Sequence, residues 1–353
     1  MASGPHTFVT MVVFSPEKFQ GNPLAIVGIR GNAISQKRKG LIAKEFGYSE
    51  TVFLHDAPAP GMPRLCEIFT ETGEEIPFAG HPVIGAAHYI FSYCEKMHYG
   101  GPADRDTQRQ TGVLLTKAGK IPIFFNPYRQ VAACSVPHNF HLHQHQVPME
   151  QVIATQPQIQ IVPGIDKAKN KSFPVVSIVK GMTFVLVDLT EHPDIFTAVQ
   201  PGKAPEAELD SAWSPSFVGC LYYKVLNQAE KPGEPTIHNI QARMISHGIE
   251  DAGTGSACSA LSCYLALQST SKSDKPEASE AGTELAKQTE ELKLEEKTER
   301  KVFGIQQGVE MGRLSTIAVE VDVKTDAQGK VSLANVILSG RANLHTRGEL
   351  IGA

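Results

Sequence analysis

Twice along this chain a run of strand-forming residues leads into a glycine-rich turn and then into a helix that is apolar nearly all round. The first case runs through Pro77-Phe78-Ala79-Gly80-His81-Pro82 into Val83 to Phe91; the second runs from His238 through Asp251 to Ser256 into the stretch ending near Leu267. A helix without a polar face cannot lie on a surface, because every side of it would hold apolar area in water. The flanking strands are the material available to cover it, so each half of the chain is expected to wrap strands around one central helix. Aligning Ala79-Gly80-His81 with Ala252-Gly253-Thr254 sets Ile84-Gly85-Ala86-Ala87 against Ala257-Cys258-Ser259-Ala260, a weak likeness that recurs at the same place in each half.

The rest of the pattern fits two lobes, as 353 residues would. His6 to Phe14 and Leu24 to Ile29 read as a hairpin across Gly21-Asn22-Pro23, and Ser35 to Phe46 as a helix with Ile34, Leu41, Ile42 and Phe46 at helical spacing. The apolar signal stops at Pro137, so 1–137 is the N-terminal lobe. Residues 138–172 are rich in Gln and His and read as a polar linker; 173–339 form the C-terminal lobe. Within that lobe, 269–301 is a charged insert of Ser, Thr, Glu and Lys that cannot form a core. Its second half, from Glu284, suits an exposed helix or solvated disorder.

Composition excludes several classes. With 33 basic and 37 acidic residues, 33 − 37 leaves a charge of −4, which argues against a nucleic-acid binder or a membrane-surface binder held by bulk charge. No run approaches the ~20 apolar residues of a membrane span. The six cysteines contain no CxxC pair and the start has no secretory leader, so a cytoplasmic protein with reduced thiols is expected, and the sequon at Asn170 is a coincidence. GxGxxG, GxxxxGK[ST] and GxSxG are all absent. His138, His141, His143 and His145 suggest a metal, but without a carboxylate or cysteine at ligand spacing no metal is expected there.

Two glycine-rich turns that each open a helix present two sets of free N–H groups and two positive dipole ends, which together favour an anion such as a carboxylate. His81, Asp251, Thr254 and Ser256 are the side chains at hand. Taken singly, each turn is better explained by tight helix packing and capping; two matched turns point to a shared cleft. Glu50 sits among strand-forming Thr51, Val52, Phe53 and Leu54. Facing inward it would be desolvated and its pKa raised toward neutrality; facing outward it is an ordinary rim carboxylate.

Six stretches, in order along nearly the whole chain, resemble the PhzF-like proteins of phenazine biosynthesis, which share the diaminopimelate epimerase fold. They are Gly21-Asn22-Pro23-Leu24-Ala25-Ile26-Val27, Ser49-Glu50-Thr51-Val52-Phe53, Pro77 to Pro82 with Ile84 to Ala87, Glu250-Asp251 with Thr254-Gly255-Ser256-Ala257, Gln307-Gly308 with Met311-Gly312-Arg313, and Gly340-Arg341-Ala342. The resemblance implies an α+β fold of two pseudo-symmetric lobes, each a mixed β-barrel around a central α-helix, with 340–353 returning to the first lobe. The family's phenazine member isomerises trans-2,3-dihydro-3-hydroxyanthranilate without a cofactor, using one glutamate to move a proton, and the family commonly dimerises. Carried over, this makes Glu50 the catalytic acid/base, makes His81, Asp251, Ser256 and Thr254 groups that bind or assist the substrate, and puts the N–H groups near Gly80 and Gly255 on its carboxylate. No cofactor is then needed, and the expected partners are a small carboxylate-bearing molecule and a second copy of the chain.

The epimerase relatives use two facing cysteines, whose positions here look like Ala79 and Ala252. A departure lies at Ala252 itself, where the family's EDPATGS carries proline, an exchange that frees the turn beside Asp251. The expected function is therefore a proton-shifting isomerase, with an epimerase, racemase or lyase on the same cleft as one alternative and a non-catalytic ligand-binding or scaffold protein as another.

Overall fold

The computed structural model describes residues 6–30, 34–59, 61–94, 109–229, 235–273 and 297–351. In the first half His6–Val13 pairs antiparallel with Asn22–Ile29, which runs parallel to Glu50–His55. That strand is antiparallel to Arg64–Thr70, which runs parallel to Gln110–Thr116, and Gly119–Asn126 and Val131–Ser135 follow as antiparallel neighbours. In the second half Val175–Val179, Met182–Asp188, Phe217–Ala229, Ile237–Ser246, Lys297–Gln307, Ser315–Thr325 and Val331–Gly340 pair in the same succession: antiparallel, parallel, antiparallel, parallel, antiparallel, antiparallel. The weak sequence repeat is thus a repeat of strand pairing. The architecture is α+β, with two pseudo-symmetric mixed barrels.

Each barrel receives its helix at the same point, between its fourth and fifth strands: Gly80–Tyr89 in the first and Gly255–Ser273 in the second. The first packs on His6–Val13, Asn22–Ile29 and Val131–Ser135; the second packs on Val175–Val179, Ser315–Thr325 and Val331–Gly340. Every residue from Gly80 to His88 is buried, as an all-round apolar helix requires. Beyond Tyr89 the chain widens into a π turn over Ile90–Cys94. The barrels are joined where Val131–Ser135 pairs with Val331–Gly340, and Ala342–Leu350 lies antiparallel to His6–Val13. No helix among the described residues is long and apolar enough to cross a membrane.

Several expectations are corrected. Residues 138–172 are not a polar linker: His141–Leu142 adds to the edge of Val175–Val179, and short helices at Met149–Thr155 and Ile165–Ala168 form an outer layer. Val147, Met149, Val152, Ile159 and Ile165 are buried there against Phe173, Val185, Phe196 and Tyr222. Their helices are too short to show periodicity among the Gln and His residues. The insert is narrower than 269–301, because the second helix continues to Ser273 and Lys297–Lys301 already pairs with Val321–Thr325. Residues 297–300, read as the end of a helix, are therefore strand, and 274–296 lie outside the described residues. In the helix Gln36–Phe46, Leu41 faces water while Lys39 turns inward onto Glu67, whose carboxylate also meets Gln36 and His55.

The repeat also needs a new alignment. Ala79 and Thr254 are the residues whose carbonyls accept the opening helical bonds, from Val83 and Cys258, so Gly80 corresponds to Gly255 rather than to Gly253. These two glycines touch. A Cβ on Gly80 would lie 3.0 Å from the Gly255 Cα and 2.7 Å from Leu338 Cδ2; one on Gly255 would lie 3.2 Å from the Gly80 Cα and 2.6 Å from Leu338 Cδ2. Any side chain there forces the two helix starts apart. Gly255→Ala is expected to destabilise the protein by about 1–3 kcal/mol, the usual cost of overpacking, seen as a lower urea midpoint at unchanged slope.

Candidate active site

Strand pairing brings the candidate residues to the point where the two helices meet. Glu50 opens the strand Glu50–His55, beside the Asn22 end of the hairpin, because Asn22–Ile29 and Glu50–His55 run parallel. Its side chain faces inward and is 19% exposed, with Oε2 3.5 Å from His81 Nδ1. His81 is the second residue of the first helix and is buried. Asp251 ends the short strand Ile249–Asp251 that leads into the second helix, and Ser256 is that helix's second residue, also buried.

Asn22 ties the two halves together. Its Nδ2 donates to Asp251 Oδ1 at 2.8 Å and to the Gly253 carbonyl at 3.0 Å, and lies 3.4 Å from His81 Nδ1. The Thr254 hydroxyl donates to Asp251 Oδ2 at 2.5 Å. Gln307 then staples the turn from behind. Its Nε2 donates to the Asp251 carbonyl at 2.8 Å and to Thr254 Oγ1 at 2.9 Å, and its Oε1 accepts from the Thr254 N–H at 3.0 Å. The turn that lacks the family's proline is therefore held at both ends by one buried side chain. Gly308 permits the close approach: a Cβ there would lie 2.8 Å from the Ala252 carbonyl oxygen.

Asn22 and Gln307 were visible in the sequence only as parts of motif stretches. Nothing marked their side chains as functional, because an amide's partners are set by tertiary contact. Thr254, read as a substrate-binding candidate, spends its hydroxyl hydrogen on Asp251.

The electrostatics separate the titratable groups. Burial, reinforced by the charge of Asp251, pushes the Glu50 carboxyl up to about 8. Burial holds the His81 imidazole down near 3, so it is neutral. Burial raises Asp251 as well, but hydrogen bonds from Thr254, the Gly253 N–H, Asn22 and the Ala252 N–H oppose that rise. At neutral pH the site thus holds a proton-loaded Glu50 and a neutral imidazole, beside an Asp251 carboxyl whose two oxygens are both engaged. Beside them the opening N–H groups of both helices, and both positive dipole ends, converge across the Gly80–Gly255 contact.

Cysteine chemistry is not assembled here. Ala79 and Thr254 precede the two helix-opening glycines, and Ala252 lies two residues further back, so none of these positions carries a thiol. Cys66 is buried with its thiol pushed up to about 12, and the buried Cys258 thiol donates to the Gln307 side-chain Oε1 at 3.5 Å, its pKa likewise pushed up by burial.

The fold is the two-lobed, diaminopimelate epimerase-like architecture. The profile of the phenazine biosynthesis-like protein family matches residues 11–348, and the chain belongs to that family. Among curated relatives it is 28% identical over 260 residues to an uncharacterized isomerase of Pasteurella multocida, covering 73% of this chain and 76% of the relative. It is 27% identical over 267 residues to trans-2,3-dihydro-3-hydroxyanthranilate isomerase of Pseudomonas aeruginosa, covering 74% and 80%. In fold it is similar to a PhzF-family protein of Bacillus anthracis, with a TM-score of 0.63 at 16% identity over 99% of this chain and 100% of that one. A probable proline racemase of Agrobacterium radiobacter follows with a TM-score of 0.54 at 12% identity, over 99% and 93%.

Two measurements test the geometry. An unfolded glutamate titrates near its ordinary 4.5, whereas folded Glu50 titrates near 8, so folding takes up a proton between those values and wild-type stability falls as pH rises through that window. Glu50→Gln removes this loss. Its melting temperature should therefore exceed wild type, with a gap that widens from pH 5 to pH 9 in parallel thermal scans. Gln307→Leu strands the Thr254 N–H and the Asp251 carbonyl and should cost about 1–3 kcal/mol in urea denaturation; equal stability would show that the staple contributes nothing.

Proposed function

We propose that this isomerase shifts a proton from one carbon to another in a small carboxylate-bearing metabolite, of the trans-2,3-dihydro-3-hydroxyanthranilate type, with Glu50 as the single acid/base. The observation that carries this reading is Glu50 itself: inward-facing, raised to about 8, and placed beside two converging helix starts. A base poised near neutrality can take a proton from a carbon next to a conjugated system and return it elsewhere. The helix N–H groups would hold the substrate carboxylate, and neutral His81 beside Glu50 would hand the reacting region a hydrogen bond without adding charge.

Racemisation by two facing bases is less well supported. It needs a second free base opposite Glu50, and Asp251, the nearest carboxylate in charge coupling, has Oδ1 engaged by Asn22 and Oδ2 by Thr254. Nor are there thiols at the two helix starts. A cytosolic setting suits the buried cysteines Cys66, Cys134, Cys220, Cys258 and Cys263, none of which forms a disulfide.

Turnover in heavy water, followed by mass spectrometry over a panel of dihydro aromatic amino acids and hydroxy acids, should place deuterium on carbon. Glu50→Gln should lower kcat by at least about 100-fold with an unchanged circular dichroism spectrum. Because the free base is the reactive form, wild-type kcat/KM should climb with pH and level off above about 8. A variant that keeps wild-type rates, or a profile flat from pH 6 to 9, overturns the assignment.

A further inference from the structure

The histidine-rich stretch set aside in the sequence for want of a carboxylate acquires one in the fold. Asp210, 69 residues beyond His141, places Oδ2 2.6 Å from His141 Nε2. The same oxygen is 3.9 Å from His143 Nδ1, and the three ligand atoms all lie within 4.8 Å of one another. We propose that His141, His143 and Asp210 form a binding site for a zinc-like divalent ion, separate from the Glu50 cleft.

The argument rests first on the tautomer of His143. Ser216 Oγ donates to the Phe217 carbonyl at 3.0 Å, so it accepts from Thr183 Oγ1 at 2.7 Å. Thr183 in turn accepts from Ser177 Oγ at 2.6 Å, which leaves Ser177 to accept from His143 Nε2 at 2.9 Å. This chain, anchored on a carbonyl that can only accept, puts the His143 proton on Nε2 and the lone pair on Nδ1, the atom facing Asp210. The Asp210 N–H donates to Nδ1 at 3.2 Å, which agrees with that assignment, and an ion bound at Nδ1 displaces that hydrogen bond as the Asp210 segment shifts. The same direction rules out a serine nucleophile: in the Asp210–His143–Ser177 line the imidazole donates to the hydroxyl, and Ser177 is fully buried.

The surroundings suit a metal. A metal-binding imidazole commonly has its other nitrogen fixed by an outer partner, which Ser177 supplies for His143. Trp213 stacks on His141 with centroids 4.5 Å apart and planes 8° off parallel, which fixes that ring. The two imidazoles stand at 90°, so their nitrogens approach the carboxylate from different directions. His141 and Asp210 are 30% and 22% exposed, which leaves a way in for the ion and room for water as a further ligand. Two imidazoles and one carboxylate favour zinc, cobalt or nickel over calcium or magnesium. On binding, the ion takes the place of the hydrogen bond between His141 Nε2 and Asp210 Oδ2; the His141 ring stays neutral with its one proton on Nδ1, exchanged through solvent, and the carboxylate swings to make room. The ion would clip the segment carrying Asp210 to the strand His141–Leu142 at the barrel edge. Its effect falls on stability and leaves the Glu50 chemistry alone.

The test uses the full chain with Cys94→Ser, because Cys94 is the exposed thiol. The protein is stripped with a chelator and titrated with zinc against a chromogenic competitor. One zinc per chain is expected, with a rise in melting temperature. His141→Ala and Asp210→Asn should each weaken binding at least about tenfold and abolish that rise. His141→Gln, which keeps a hydrogen-bonding side chain toward Asp210, should fold as wild type and still lose the ion. His138→Ala, whose Nδ1 lies 2.9 Å from the Val136 carbonyl outside the cluster, should bind as wild type. Wild-type protein that takes up no stoichiometric zinc at micromolar free ion, or His141→Ala and Asp210→Asn proteins that bind as tightly as wild type, overturns the proposal.

Discussion

The contact between Gly80 and Gly255 governs the rest of the molecule. Two helices meet start to start, backbone against backbone, with Leu338 sealing both and Phe14 packed on the second. Each helix end carries roughly half a positive charge, so bringing two together inside protein is unfavourable unless a negative group lies near. Asp251 is that group on the protein's side, held beside the second helix start by Thr254 and across the halves by Asn22. A ligand carboxylate would be the second. The positive potential at this junction is therefore a consequence of how the two barrels are joined, and it needs no basic side chain.

The same junction divides the work between two buried carboxyls. Glu50 and Asp251 are both desolvated, and burial alone would push both up. What separates them is the supply of donors. Asp251 ends a turn rich in N–H groups and hydroxyls; Glu50 begins a strand whose backbone groups are occupied by their neighbours, and hydrogen bonding lowers it only through Ser49. The Asp251 charge then raises Glu50 further. Hydrogen bonding therefore opposes the rise far more at Asp251 than at Glu50, and the two buried carboxyls are set apart by their donors.

How far the sequence reveals this depends on the range of the interaction concerned. The two apolar helices were legible because their pattern is local and has one physical solution, and Glu50 could be named because a motif carried it. Whether Glu50 faced inward could not be read from its neighbours, since alternation along a strand gives two faces without saying which is the core. The layer at 138–172 was missed because Val147, Met149, Val152 and Ile159 sit in short runs broken by Pro, Gln and Glu and bury themselves against a sheet that begins only afterwards. The offset in the repeat had a similar origin. Matching Gly80 to Gly253 followed from composition, whereas the helix starts at the residue whose predecessor's carbonyl accepts the first bond, and that is settled by hydrogen bonding.

The turn at Asp251 shows the same limit from the other side. Proline after the aspartate would stiffen the loop through its own ring and would remove one N–H. With Ala252 that N–H remains and is directed at Asp251, while stiffness is supplied from the strand Lys297–Gln307, whose last side chain bonds to Asp251 and Thr254 together. Gly308, with φ of 75°, lets the strand end press against Ala252. The anion of the site is thus positioned by a contact between segments some fifty residues apart. A reading confined to residues 250–256 finds a loosened loop, although the folded chain holds that loop at both ends.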